Sequence, residues 1–215
     1  YSNGALYQEL LMNLNGAAVN FVPVTLENPC FILPPDLCVE EAVYQEIVTL
    51  PLNVNGYDLV YQRCCRNQGI INMFNPTGQG AGWDIAIPDP SQASCNSSPY
   101  YNNYPPTIIC LDAPFEYDHS ATDPDGDSLA WHLDVPLSVN GPVSGYEFLS
   151  DSAYSDSAAV FSLDSVTGAL TWSASMVGHF VASFVIEEFR NGVNIRSEEH
   201  TSELQSRTNI VCRLL

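Results

Sequence analysis

Short apolar runs alternate with turn-forming residues along most of this chain, at intervals of about ten positions, which is the pattern of an all-β protein. Residues 6–14 and 17–26 meet at Asn15-Gly16, the usual two-residue hairpin signal, although residues 7–14 would also suit a helix. Residues 43–50 alternate around Tyr44 and Ile47. Asn55-Gly56 then turns the chain into a predicted strand over 57–66, Y-D-L-V-Y-Q-R-C-C-R. Residues 78–82 are glycine-rich but lack the lysine and following helix of a phosphate-binding loop, so they predict a hairpin loop ahead of a strand at 83–87. In the second half the pattern predicts strands at 108–110, 113–117, 129–133, 159–163, 169–172, 180–186 and 193–195, with a short one near 146–149. The 180–186 run is apolar on both faces except at Ser183.

Between Pro88 and Pro106 the composition shifts to Pro, Ser, Asn and Tyr, the best domain boundary in the chain. The expected fold is therefore two β-sandwich modules in tandem, residues 1–95 and 96–195. The chain carries 25 acidic residues against six arginines and no lysine, a formal charge of -19. Such a surface repels nucleic acid and anionic lipid, so neither is an expected partner. No apolar run reaches the length of a membrane helix, so membrane insertion is not expected either. Residues 196–206, R-S-E-E-H-T-S-E-L-Q-S, resemble the translation of a common sequencing adapter, and the remainder to Leu215 looks like its continuation. Residues 196–215 are accordingly expected to be a non-native tail, and the rest an internal piece of a longer multi-domain protein.

Outside that tail lie six of the seven cysteines, a number that points to an oxidising compartment. Cys30 and Cys38 bracket a proline-rich loop that a bridge would close. Neighbours on a strand point to opposite faces, so Cys64 and Cys65 are expected to take separate partners, with Cys95 and Cys110.

The sharpest chemical proposal is the acidic turn at 118–133, D-H-S-A-T-D-P-D-G-D-S-L-A-W-H-L. Asp123, Asp125 and Asp127 alternate with Pro124 and Gly126, and Leu129, Trp131 and Leu133 then share one face of a strand. Carboxylates so spaced on a bent backbone can converge on a hard cation, with calcium the natural candidate. The bland alternative is a solvated turn in which aspartate caps its own backbone. A full EF-hand loop is absent, because its closing position holds Asp134 in place of glutamate, so further ligands must come from elsewhere. Enzyme signals are weak: there is no H-E-x-x-H and no G-x-S-x-G. His119 between Asp118 and Ser120 makes no triad by adjacency alone, and His132, next to Trp131, should point outward. Tyr100, Tyr101 and Tyr104 suit either a sugar-stacking face or the packing of a domain junction.

The second half resembles cadherin-like and dystroglycan-type immunoglobulin-like modules. The likeness rests on A-T-D-P-D-G-D-S-L-A-W (121–131), D-S-V-T-G-A-L-T-W (164–172) and the long strand after Gly178. It implies a D-x-D pair, Asp123 and Asp125, facing the linker, with Asn96 of N-S-S-P and Glu187 or Glu188 completing a calcium site. The chain as a whole is similar to secreted surface proteins of gliding bacteria of the Bacteroidota type. That likeness is carried by Y-Q-R-C-C-R-N (61–67), N-S-S-P (96–99), D-H-S-A-T-D-P-D-G-D-S-L (118–129) and E-E-F-R-N-G (187–192). Four Asp-Ser-apolar triplets, starting at Asp127, Asp151, Asp156 and Asp164, resemble the O-glycosylation signal of the same group. The resemblances imply a secreted or cell-surface, non-catalytic adhesion or scaffold segment, with a cell-surface protein or polysaccharide as partner. The alternative is a polysaccharide-binding module attached to a secreted enzyme.

Overall fold

A computed structural model describes residues 5–11, 20–22, 39–106, 108–151, 154 and 161–207. These residues are nearly all β. A two-stranded ladder joins β1 (Asn20–Val22) to β2 (Val39–Glu41). Strand β3 (Tyr57–Arg63) pairs antiparallel with β4 (Ala81–Ile87), and a single-turn helix, α1 (Pro76–Gln79), lies between them. There follow β5 (Tyr100–Tyr101), β6 (Ile108–Cys110), β7 (Phe115–Asp118), β8 (Ala121–Thr122) and β9 (Ser128–Asp134). Then come β10 (Leu137–Ser138), β11 (Gly141–Pro142), β12 (Ser162–Leu163), β13 (Ala169–Trp172), β14 (Gly178–Arg190) and β15 (Val193–Arg207). The main sheet runs β11-β10-β4-β15-β14-β9, with β3 added on β4 and β6 added parallel to β15. A smaller sheet runs β12-β13-β7, and β5 pairs with β8. No helix among the described residues is long and apolar enough to cross a membrane.

The two sheets face each other across the core, and β14 is its central strand. Phe180, Ala182, Phe184 and Ile186 lie on one face of β14, and all four are buried. The first three meet Leu170 and Trp172 of β13, Phe161, Ile109 and Leu149. Trp172 meets Phe180 edge to face at 5.1 Å between ring centres. Each fully buried aromatic of this kind contributes roughly 2–3 kcal/mol. On the opposite face Val181 packs with Ile70, Met73 and Val143. Cover on both sides is why this strand shows no alternation in sequence. Strand β9 pairs with β14 only from Ser183 onward. Beyond its end, the buried Asn72 donates to Val181 O at 2.8 Å and accepts from Val181 N at 3.0 Å, so a side-chain amide continues the ladder.

Several expectations need correction. Cys64 and Cys65 are disulfide-bonded to each other. Strand β3 ends at Arg63, and Cys65 takes a left-handed φ of 68°, so strand alternation no longer separates the two side chains. Cys110 is also in a disulfide, Cys95 is free and exposed, and Cys30 and Cys38 lie outside the described residues. So does the Asn15-Gly16 turn. Residues 43–50 and 146–149 form no strand, and the glycine-rich loop carries α1.

Two larger differences concern the boundaries. The main sheet draws β3 and β4 from before residue 95 and β14 and β15 from after it. The 88–106 stretch is irregular apart from β5, which pairs with β8, and it is tethered there: Asn102 N donates to Ser120 O at 3.0 Å, and Asn103 holds Asp118. Its composition marks irregular backbone, not loss of contact. The fold also continues past Ile195. Strand β15 pairs antiparallel with β14 from Val193 to Ser206, each strand supplying the backbone donors and acceptors of the other. Its first residues include buried charged groups with partners. Arg196, Glu198 and Glu199 are buried, Arg196 pairing with Glu198 and the Ser183 hydroxyl with Glu199.

Candidate cation site at the acidic turn

The acidic turn joins β8 to β9. Gly126 sits at φ +82°, a conformation that disfavours side chains. Asp123 Oδ1 accepts from the backbone N–H groups of Asp125 and Asp127, both at 2.9 Å, which fixes the turn as an aspartate-capped loop. Its other oxygen, Oδ2, is buried and has no hydrogen-bond partner.

Strand register brings in the third carboxylate. Glu188 stands opposite Leu129, two residues past Asp127, and on the same side of β14 as Phe184 and Ile186. It is fully buried at the end of the core. Asp123, Asp127 and Glu188 each bring a carboxylate oxygen within 4.8 Å of the others. Glu188 Oε2 accepts from Asn96 Nδ2 at 2.6 Å, while Oε1 is buried without a hydrogen bond, 3.5 Å from Arg196 Nε. Burial raises the Glu188 carboxyl above its ordinary pKa, Asn96 and Arg196 draw it back, and Glu198 and Asp123 add to the rise.

A guanidinium already lies beside the cluster. Arg190 Nε and Nη2 form a fork on Asp127 at 2.9 and 2.6 Å. Its Nη1 donates to Cys95 O at 2.9 Å and its Nη2 to Asn96 Oδ1 at 2.7 Å. Asp125 turns outward, accepting from Ser97 N at 2.6 Å and lying 3.5 Å from Arg190.

Of the residues expected at a metal, the structure thus gathers Asp123 and Asp127, with Asn96 behind Glu188. Asp125 faces the 95–98 segment. Glu187 projects from the other face of β14, where Asn194 donates to it at 2.8 Å and His132 Nδ1 lies 3.8 Å away. Of the two glutamates expected as alternatives, Glu188 joins the cluster and Glu187 does not. The signal was the phase of β14, which a run apolar on both faces does not reveal.

The histidines and tyrosines are placed as follows. His132 is exposed beside the buried Trp131, as expected. His119 is buried, its ring stacked on Tyr101 at 4.4 Å and edge-on to Phe184 at 4.3 Å. Burial lowers its pKa to about 4. Tyr100 and Tyr104 are exposed. No family model, curated protein or solved structure matches the chain.

Two buried carboxylate oxygens without donors, beside a third carboxylate, fit a hard divalent cation, which replaces missing donors with charge. The triad Asp123, Asp127 and Glu188 could therefore hold a metal ion.

Proposed function

We propose that this chain is a non-catalytic, extracellular adhesion or scaffold segment of a larger surface protein, stiffened by calcium at the acidic turn. One observation carries the reading. The candidate site lies where three separate stretches meet: the turn at 123–127, the end of β14, and the loop at 95–98, through Asn96, Ser97 and Arg190. An ion there neutralises three clustered carboxylates of a strongly acidic chain and fastens a long loop to the sheet. Binding to the folded form alone stabilises it by mass action.

Thermal melting in millimolar calcium against chelator tests this. Calcium should raise the melting temperature by roughly 2–5 °C for a chain of this size. Asp123→Asn with Glu188→Gln should remove the response, since both amides keep the oxygens that accept backbone or Asn96 hydrogen bonds. A melt indifferent to calcium and chelator would reduce the turn to a self-capped loop.

The polysaccharide-binding reading draws on the exposed rings of Tyr100 and Tyr104, and of Tyr61 stacked on Trp83 at 5.4 Å. Retention on a polysaccharide gel that Tyr100→Ala with Tyr104→Ala abolishes would make it the better account.

A further inference from the structure

We propose that Arg190 is a tethered competitor for the cation site, so that an ion enters only as the guanidinium leaves Asp127. This rests on the metal reading above and adds its regulation. Both oxygens of Asp127 are committed to the Arg190 fork, at 2.9 and 2.6 Å. The oxygens with no hydrogen bond belong to Asp123 and Glu188, and Glu188 is fully buried, so the cluster is one ligand short while Arg190 stays. A divalent ion drawing on the third carboxylate meets a fixed positive charge within a few ångströms, a repulsion of kilocalories at the dielectric of a protein surface.

The guanidinium has somewhere to go. Its side chain is partly exposed, and Asp125 Oδ2, facing the 95–98 segment, is already 3.5 Å from Nη2. Among the described residues the other cation facing the cluster is Arg196, whose Nε lies 3.5 Å from Glu188 while its Nη2 is held by Ser98 and Glu198. It touches Glu188 alone among the three carboxylates, so it does not block Asp127. The arrangement makes two alternative locks for the same loop: an arginine fork at low calcium, an ion at high calcium.

Calorimetric titration of the full chain and of Arg190→Gln with calcium chloride tests the competition, with near-ultraviolet circular dichroism to check folding. The variant should bind calcium at least about tenfold more tightly, since it loses an adjacent positive charge. Binding by the variant but not by the wild type would also support the competition, while removing calcium from the function of the native chain. Equal or weaker binding by a folded variant overturns the competition and leaves the site standing. Absence of binding in both overturns both. If the variant fails to fold, labelling of wild-type Arg190 by phenylglyoxal decides: calcium should increase its modification, and unchanged modification overturns the proposal.

Discussion

At the scale of single residues, the most consequential misfit between sequence and environment is His119. Between the polar Asp118 and Ser120 it sits in a polar stretch, yet Tyr101, Tyr117 and Phe184 enclose its ring. Burial is the main cause of its lowered pKa of about 4, and His200 adds to the effect while Asp118 opposes it. For a base depressed in the folded state, the unfolded chain takes up the proton first. The stability associated with neutral His119 is therefore intact above about pH 6.5 and lost as the pH falls towards 4, about 3 kcal/mol in all. His119→Leu should flatten this part of the stability–pH curve measured by urea unfolding. A curve of unchanged slope would show that the imidazole is solvated. Nothing in the local sequence signals this burial, because it is set by Tyr101, eighteen positions upstream, and Phe184 on another strand.

At the scale of elements, β14 is the strand to which the others are fitted, and Asn72 shows how its ladder is completed where β9 ends. Asn72→Ala leaves the buried N–H of Val181 without its partner and its carbonyl with the Tyr146 hydroxyl alone, at 3.2 Å. It should cost roughly 2–4 kcal/mol, read as a fall in the urea midpoint at unchanged slope. A loss under about 0.5 kcal/mol would mean that water reaches the strand. The strands themselves were legible where turn signals bounded them: β3, β6, β9 and β13 fall within a few residues of their expected places. Long-range partnership was not. The side chain that extends β14, and the phase that buries Glu188 and leaves Glu187 half-buried, depend on what lies across the chain in space, while the pairing of Cys64 with Cys65 follows from where β3 ends and from the left-handed backbone at Cys65. The acidic turn was legible because its carboxylates and glycine act within five residues. Its closing ligand, more than sixty residues away, was legible only as a choice between Glu187 and Glu188.

At the scale of the molecule, one sheet spans the position where composition suggested two modules. Strand β4 pairs with β3 across its whole length, and Ile85 of β4 stands opposite Glu198 of β15. The described strands on either side of residue 95 should therefore unfold together, and scanning calorimetry should give a single transition whose calorimetric and van't Hoff enthalpies agree. Two resolved transitions would restore the tandem arrangement.

The β14–β15 hairpin has a mechanical consequence when the chain is put under tension. Gly178 lies opposite Ser206, so the two open ends of this long ladder sit side by side, and the turn at Asn191-Gly192 is at the far end. A pull between those open ends meets one pair of hydrogen bonds at a time, and the hairpin peels. Strand β6 lies parallel against the last residues of β15, Ile108 beside Gln205 and Cys110 beside Arg207. Tension drawing these two strands in opposite directions along their axes strains all their bonds together. The direction of the force, more than its size, thus decides whether this sheet opens like a zip or holds like a clasp.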